Sequence, residues 1–87
     1  MSRPRKRLPK VVRKRITKKR FVYGIYDDEL HEILLDPRYS QREQFKTLIH
    51  ELLHMALGPD VSEREVIRIT NKMFPVLWKQ GYRRVVL

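Results

Sequence analysis

Two serine-led signals in the second half of this sequence leave little choice about what it folds into. Ser40-Gln41-Arg42-Glu43 and Ser62-Glu63-Arg64-Glu65 share the S-x-x-E form. In that form the serine hydroxyl and the glutamate side chain satisfy the first free amides of a helix. The apolar run after the first signal ends at Leu57, where Gly58-Pro59 acts as a stop. The spacing predicts one helix from Ser40 to Leu57 and a second from Ser62 towards Gln80, closed by Gly81. Pro75 lies inside the second helix and lacks an amide hydrogen, so a kink or break is expected near Asn71–Phe74.

Ahead of the helices, Phe21–Tyr26 reads F-V-Y-G-I-Y, a β-branched and aromatic run suited to a strand. Asp27 and Asp28 supply a turn. Leu30–Asp36 follows as a second strand, with His31, Ile33 and Leu35 on one face and Pro37 ending it. The expected fold class is α+β: a short antiparallel β-ribbon followed by two helices.

Charge divides the chain differently. Of 20 Lys and Arg residues, eleven fall in the first twenty positions, where there is no acid; from Phe21 onward nine basic residues face ten acidic ones. The formal charge of +10 therefore belongs to a segment, which excludes a uniformly basic, histone-like protein. Residues 1–20 read as a basic N-terminal arm whose second part, through Val11, Val12 and Ile16, can join a sheet edge. Residues 21–87 form the domain proper. The absence of cysteine excludes disulfide frameworks, thiolate metal sites and cysteine nucleophiles. No apolar run approaches the roughly 18 residues of a membrane span, and no apolar stretch follows the basic start to make a secretory signal. The expectation is a cytoplasmic protein with no membrane partner.

Inside the first helix stands His50-Glu51-Leu52-Leu53-His54, an H-E-x-x-H motif. Residues i and i+4 lie one above the other on a helix, so both imidazoles can hold one zinc ion. Glu51 sits about 100° round the helix, beside such an ion without ligating it, and can take a proton from an attacking water. Phe45, Leu48, Ile49, Leu52, Met55 and Ala56 form a broad apolar face from which the histidines point away. Histidines serving only as core packing would sit within that face.

A catalytic zinc takes three protein ligands, and the third candidates are Asp60, Glu63, Glu65 and His31. Asp60 has the metzincin spacing from His54, but Leu57 stands where that pattern needs glycine. Among the glutamates, Val66, Ile67, Met73, Phe74 and Leu77 define an inward face that includes Glu63 and leaves Glu65 outside. A carboxylate on a buried face is costly unless paired or bound to metal, so Glu63 is the chosen ligand. An ordinary first-turn acid favoured by the helix dipole is the plainer reading of Glu63.

The stretch from about Tyr23 to Tyr82, with I-L-L-D followed by T-L-I-H-E-L-L-H-M-A-L, resembles the zincin metallopeptidases. It is most similar to the short gluzincin-type and SprT-like proteins of bacteria and their phages. No histidine follows His54, where SprT-like proteins place one, and typical gluzincins place their glutamate further along than Glu63. The resemblance implies a minimal zincin-like fold, His50 and His54 as zinc ligands and Glu51 as catalytic base. It also implies that the strand before the motif helix, near Leu30–Leu35, edges the cleft and pairs with extended substrate. The function expected is zinc-dependent endopeptidase action on a protein or peptide, with Tyr82, Arg83 or His31 as a further donor to the reacting carbonyl oxygen. The arm, through residues 3–20, would recruit it to nucleic acid without sequence preference. Trp78 and Tyr82 are read as core and rim packing. The alternative is a non-catalytic nucleic-acid-binding or interaction protein in which zinc staples a small core.

Overall fold

The computed structural model describes residues 8–16 and 23–84. Three strands, β1 (Lys10–Arg13), β2 (Gly24–Asp27) and β3 (Glu32–Leu35), precede two helices, α1 (Gln41–Leu57) and α2 (Glu63–Lys79). The fold is α+β, as expected. Of the basic arm, residues 3–7 and 17–20 lie outside the described residues, as do Phe21 and Val22 of the first expected strand.

The ribbon is present: β2 pairs antiparallel with β3, Tyr26 opposite Ile33. Asp27 Oδ1 accepts from the Glu29 and Leu30 amides at 3.0 and 3.2 Å and closes the turn. The sheet has a third member, because β1 pairs parallel with β3, Val11 opposite Ile33, to give the order β1-β3-β2. The folded unit thus reaches back into the stretch read as arm. Strand β3 is central, so the expectation that Leu30–Leu35 forms a cleft edge is corrected: both its sides are occupied, and the edges are β1 and β2. His31 departs from the expected strand face as well, because it lies in the turn with φ +56°.

One carboxylate fixes this arrangement. Asp36, with no solvent exposure, accepts from the Ile16 amide at 3.1 Å, the Arg38 amide at 3.0 Å and Arg38 Nε at 2.9 Å. Arg38 Nη2 in turn donates to the Ile16 carbonyl at 3.0 Å. The chain leaving β1 is thereby pinned to the end of β3. The Arg38 guanidinium holds the Asp36 carboxyl well below the usual carboxylate range, against the opposing effect of burial.

Ile33 and Leu35 turn inward from β3, which packs against α1, and α1 in turn packs against α2; Ile33, Leu35, Ile49 of α1 and Val66 of α2 are all buried. Burial of such side chains contributes about 1.5–3 kcal/mol each. The apolar stripe of α2 is narrower than expected: Val66, Thr70 and Phe74 are buried at i, i+4 and i+8, whereas Ile67 and Met73 are exposed. On α1, Thr47 is buried and Ala56 is exposed. Phe45, Phe74 and Trp78 pack with ring centroids 5.8–6.0 Å apart, joining the two helices. The serine half of each helix-start signal forms, with Ser40 Oγ accepting from Glu43 N and Ser62 Oγ from Glu65 N. The Glu65 carboxylate goes to Arg68 instead of back to the cap.

Helix α2 runs unbroken through Pro75, so the break that was one of the two expected outcomes does not occur. Pro75 is exposed, so solvent can satisfy the carbonyl its ring leaves unpaired.

Candidate metal centre

The turn between the helices builds this site. Gly58 has φ +82° and ψ −177°, a combination essentially reserved to glycine that costs another residue about 1–3 kcal/mol, and its amide donates to the His54 carbonyl at 3.0 Å. The chain reverses there, Ser62 caps α2, and Glu63 becomes the first helical residue facing back towards α1. His50 and His54 stack on one face of α1 with ring centroids 4.9 Å apart. His50 Nε2 lies 2.9 Å from Glu63 Oε2, and His54 Nε2 lies 2.6 Å from Glu63 Oε1. One ligating atom from each of the three residues falls within 4.8 Å of the others.

The structure therefore brings His50, His54 and Glu63 together, and among the described residues no other such group of His, Asp and Glu forms. The physical reason offered for Glu63 needs correction. Its side chain is 61% exposed, while those of His50 and His54 are 21% and 29% exposed, so no burial cost forces a partner on it. What selects Glu63 is the length and geometry of the turn. Glu65 is committed to Arg68 and has its carboxyl held down by that guanidinium. Asp60 is an exposed turn residue. The His31 Nδ1 lies 3.3 Å from the Tyr26 hydroxyl, and neither joins the cluster.

Glu51 points to the sheet side of α1. Its carboxyl is pushed up to about 7, chiefly by burial and with a smaller contribution from the negative charge of Glu63. Against these act the charge of His54 and a hydrogen bond from the Tyr26 backbone amide. That amide belongs to the edge strand β2, so the free side of β2 faces the motif. A cavity of about 460 Å³ lies towards His50, with Thr47, Glu63 and Thr70 in its walls. A second, of about 660 Å³, lies towards His54, with Tyr26, Asp28 and Met55. Gly24 and Glu51 line both, so a cleft follows β2 past the H-E-x-x-H helix.

Gly24 went unremarked in the sequence. A Cβ there would stand 2.5 Å from Thr47 Cγ2 and 2.9 Å from the Leu34 carbonyl oxygen. Its missing side chain lets α1 press on β2 beside Glu51, and a lone glycine in a strand run is the signal that could have shown this. Tyr82 and Arg83, considered as donors to the reaction, line a different cavity together with Gln41 and Leu48. That cavity is on the other side of α1. Among the described residues no helix is long and apolar enough to cross a membrane. Comparison with protein-family models, curated proteins and solved structures finds no match to this chain.

Proposed function

We propose that this protein is a zinc-dependent metalloendopeptidase of zincin type, in which His50, His54 and Glu63 hold the metal and Glu51 handles the proton. One observation carries the reading: ligating atoms from two separate helices converge within 4.8 Å beside a carboxyl poised at about 7. The donor set suits zinc, since two imidazoles and one carboxylate make three ligands and leave a fourth position open. When bound, zinc supplies Lewis acidity to a carbonyl oxygen and makes water a stronger acid.

The remaining work falls to the chain's own residues. Glu51 accepts the proton from the attacking water and returns it to the departing amine, a task best served by a pKa near the working pH. Tyr26 holds Glu51 through its backbone amide. The free edge of β2, in place of Leu30–Leu35, adds an extended peptide as a further strand and lays it along the cleft past Glu51.

The test is hydrolysis of an unfolded protein by zinc-loaded full-length chain, beside Glu51→Gln matched for zinc content. Loss of a proton-transfer group costs about 10²–10⁴-fold in rate, so the variant keeps its zinc and loses cleavage. Equal hydrolysis by both proteins removes Glu51 from the mechanism. Zinc binding with no hydrolysis by either supports the other reading, in which the metal only joins α1 to α2.

A further inference from the structure

The cavity on the far side of α1 has a different character. It encloses about 410 Å³ between β1, α1 and the segment after α2. Val11, Phe45 and Leu48 give it an apolar floor, and Arg13, Arg83 and Arg84 stand around it with no carboxylate among the lining residues. Arg13 donates to Gln44 Oε1 at 3.0 Å. Arg83 lies 3.3 Å above the Trp78 ring and donates to the Trp78 carbonyl at 2.6 Å. Among the described residues none of the three arginines has an acidic partner. Arg13 is partly buried, and the charge of Arg84 also acts on it; both effects make its own charge harder to keep. Two neighbouring cations with no counter-charge are unfavourable until an anion sits between them. Tyr82, 62% exposed, stands at the rim of this cavity.

From this cavity we infer a binding site for single-stranded nucleic acid, with Arg13 and Arg84 on a phosphodiester and the Tyr82 ring under a base. Guanidinium groups pair bidentately with phosphate. An exposed ring above an apolar floor suits an unstacked base, which a duplex does not offer.

Charge complementarity favours a nucleic-acid strand over a single small anion. Lys10 on β1 and Lys14 and Arg15 just after it are exposed, and the sequence on either side is basic, with Arg3, Arg5, Lys6 and Arg7 before the strand and Lys18, Lys19 and Arg20 after it. Acids gather on the opposite side: Glu43, Glu51 and Glu63 line one cavity of the cleft and Asp28 the other. Gln41, Gln44, Phe45 and Leu48 of α1 face the basic cavity, while Thr47, His50, Glu51 and His54 face the cleft. A bound strand therefore leaves the cleft open. The inference holds whether or not the metal centre is catalytic.

The experiment is fluorescence anisotropy of the full chain, without added metal, on a labelled oligothymidylate of about twenty nucleotides and on a duplex of equal length, over a range of salt. The single strand is expected to bind tighter. Arg84→Gln lowers the slope of log affinity against log salt by about 0.7 on the single strand, as expected for one phosphate contact. Tyr82→Ala weakens single-strand binding about fivefold or more and leaves the duplex unaffected. Both positions are exposed, so folding is not at stake, and the basic arm is intact in every variant. Unchanged slope and affinity in both variants would overturn the site by assigning all binding to the arm. Binding to phosphatidylglycerol vesicles with none to the oligonucleotide would overturn it in favour of a lipid surface.

Discussion

Replacing Glu51 by glutamine in metal-free protein changes its stability in a direction opposite to most substitutions at a half-buried polar residue. The Glu51 carboxyl moves from an ordinary 4.5 to about 7 in the fold, chiefly because it is removed from water. Between those values the folded state binds more protons than the unfolded one, so stability falls as pH rises through the window. At about 1.4 kcal/mol per tenfold, the full excursion corresponds to about 3 kcal/mol. The side chain keeps some contact with solvent, and screening reduces the net figure to about 1–2 kcal/mol. Glutamine has no proton to lose and avoids this cost. The assay is urea unfolding in the presence of a chelator, read from Trp78, the only tryptophan, which packs against Phe45 and Phe74. At about pH 8 the variant's midpoint lies higher by about 1–2 M, taking a slope of about 1 kcal/mol per molar for a small domain. Near pH 4 the two midpoints coincide. A wild type more stable than the variant at pH 8, or a difference independent of pH, would refute the reasoning.

Three further outcomes follow from the same geometry. Gly24→Ala drives a Cβ into Thr47 Cγ2 and the Leu34 carbonyl; it costs about 1–3 kcal/mol by thermal unfolding, and Thr47→Ala in the same chain restores part of the loss. Gly58→Ala meets open space but must hold φ +82°. It costs about 1–3 kcal/mol and weakens zinc binding in calorimetry, because that turn brings Glu63 to the histidines. Asp36 has a depressed carboxyl, so its stabilisation is present at neutral pH and disappears as pH falls below the ordinary carboxylate range. Asp36→Asn lowers the melting temperature at pH 7 and flattens the acid limb of the stability profile.

The helices were legible because their boundaries are local chemistry: Ser40 and Ser62 cap, and Gly58 stops. The same locality exposed His50, Glu51 and His54, whose relation is set by one helical turn. Glu63 was identified on a burial argument the structure does not support, since turn geometry places it and its side chain remains exposed. What the sequence hid was non-local. Lys10–Arg13 pairs with residues more than twenty positions away, and nothing in a short basic strand marks its partner or its parallel sense. That pairing makes β3 central and moves the cleft edge to β2. Asp36 looked like the end of a strand before Pro37, yet its carboxylate is the joint between β1 and β3. Pro75 was expected to kink or break α2; the helix is not broken, and at this exposed position water can take up the carbonyl that the proline leaves unpaired.

The central claim is that His50, His54 and Glu63 form one metal site and that His31 is outside it. Titration of zinc into imidazole-labelled protein, followed by nitrogen NMR, tests it directly. The account predicts that one equivalent of zinc shifts the Nε2 resonances of His50 and His54 together, leaves His31 unmoved, and binds more weakly to Glu63→Ala. Absence of binding, a shift of His31 with either motif histidine, or undiminished affinity in Glu63→Ala would contradict it.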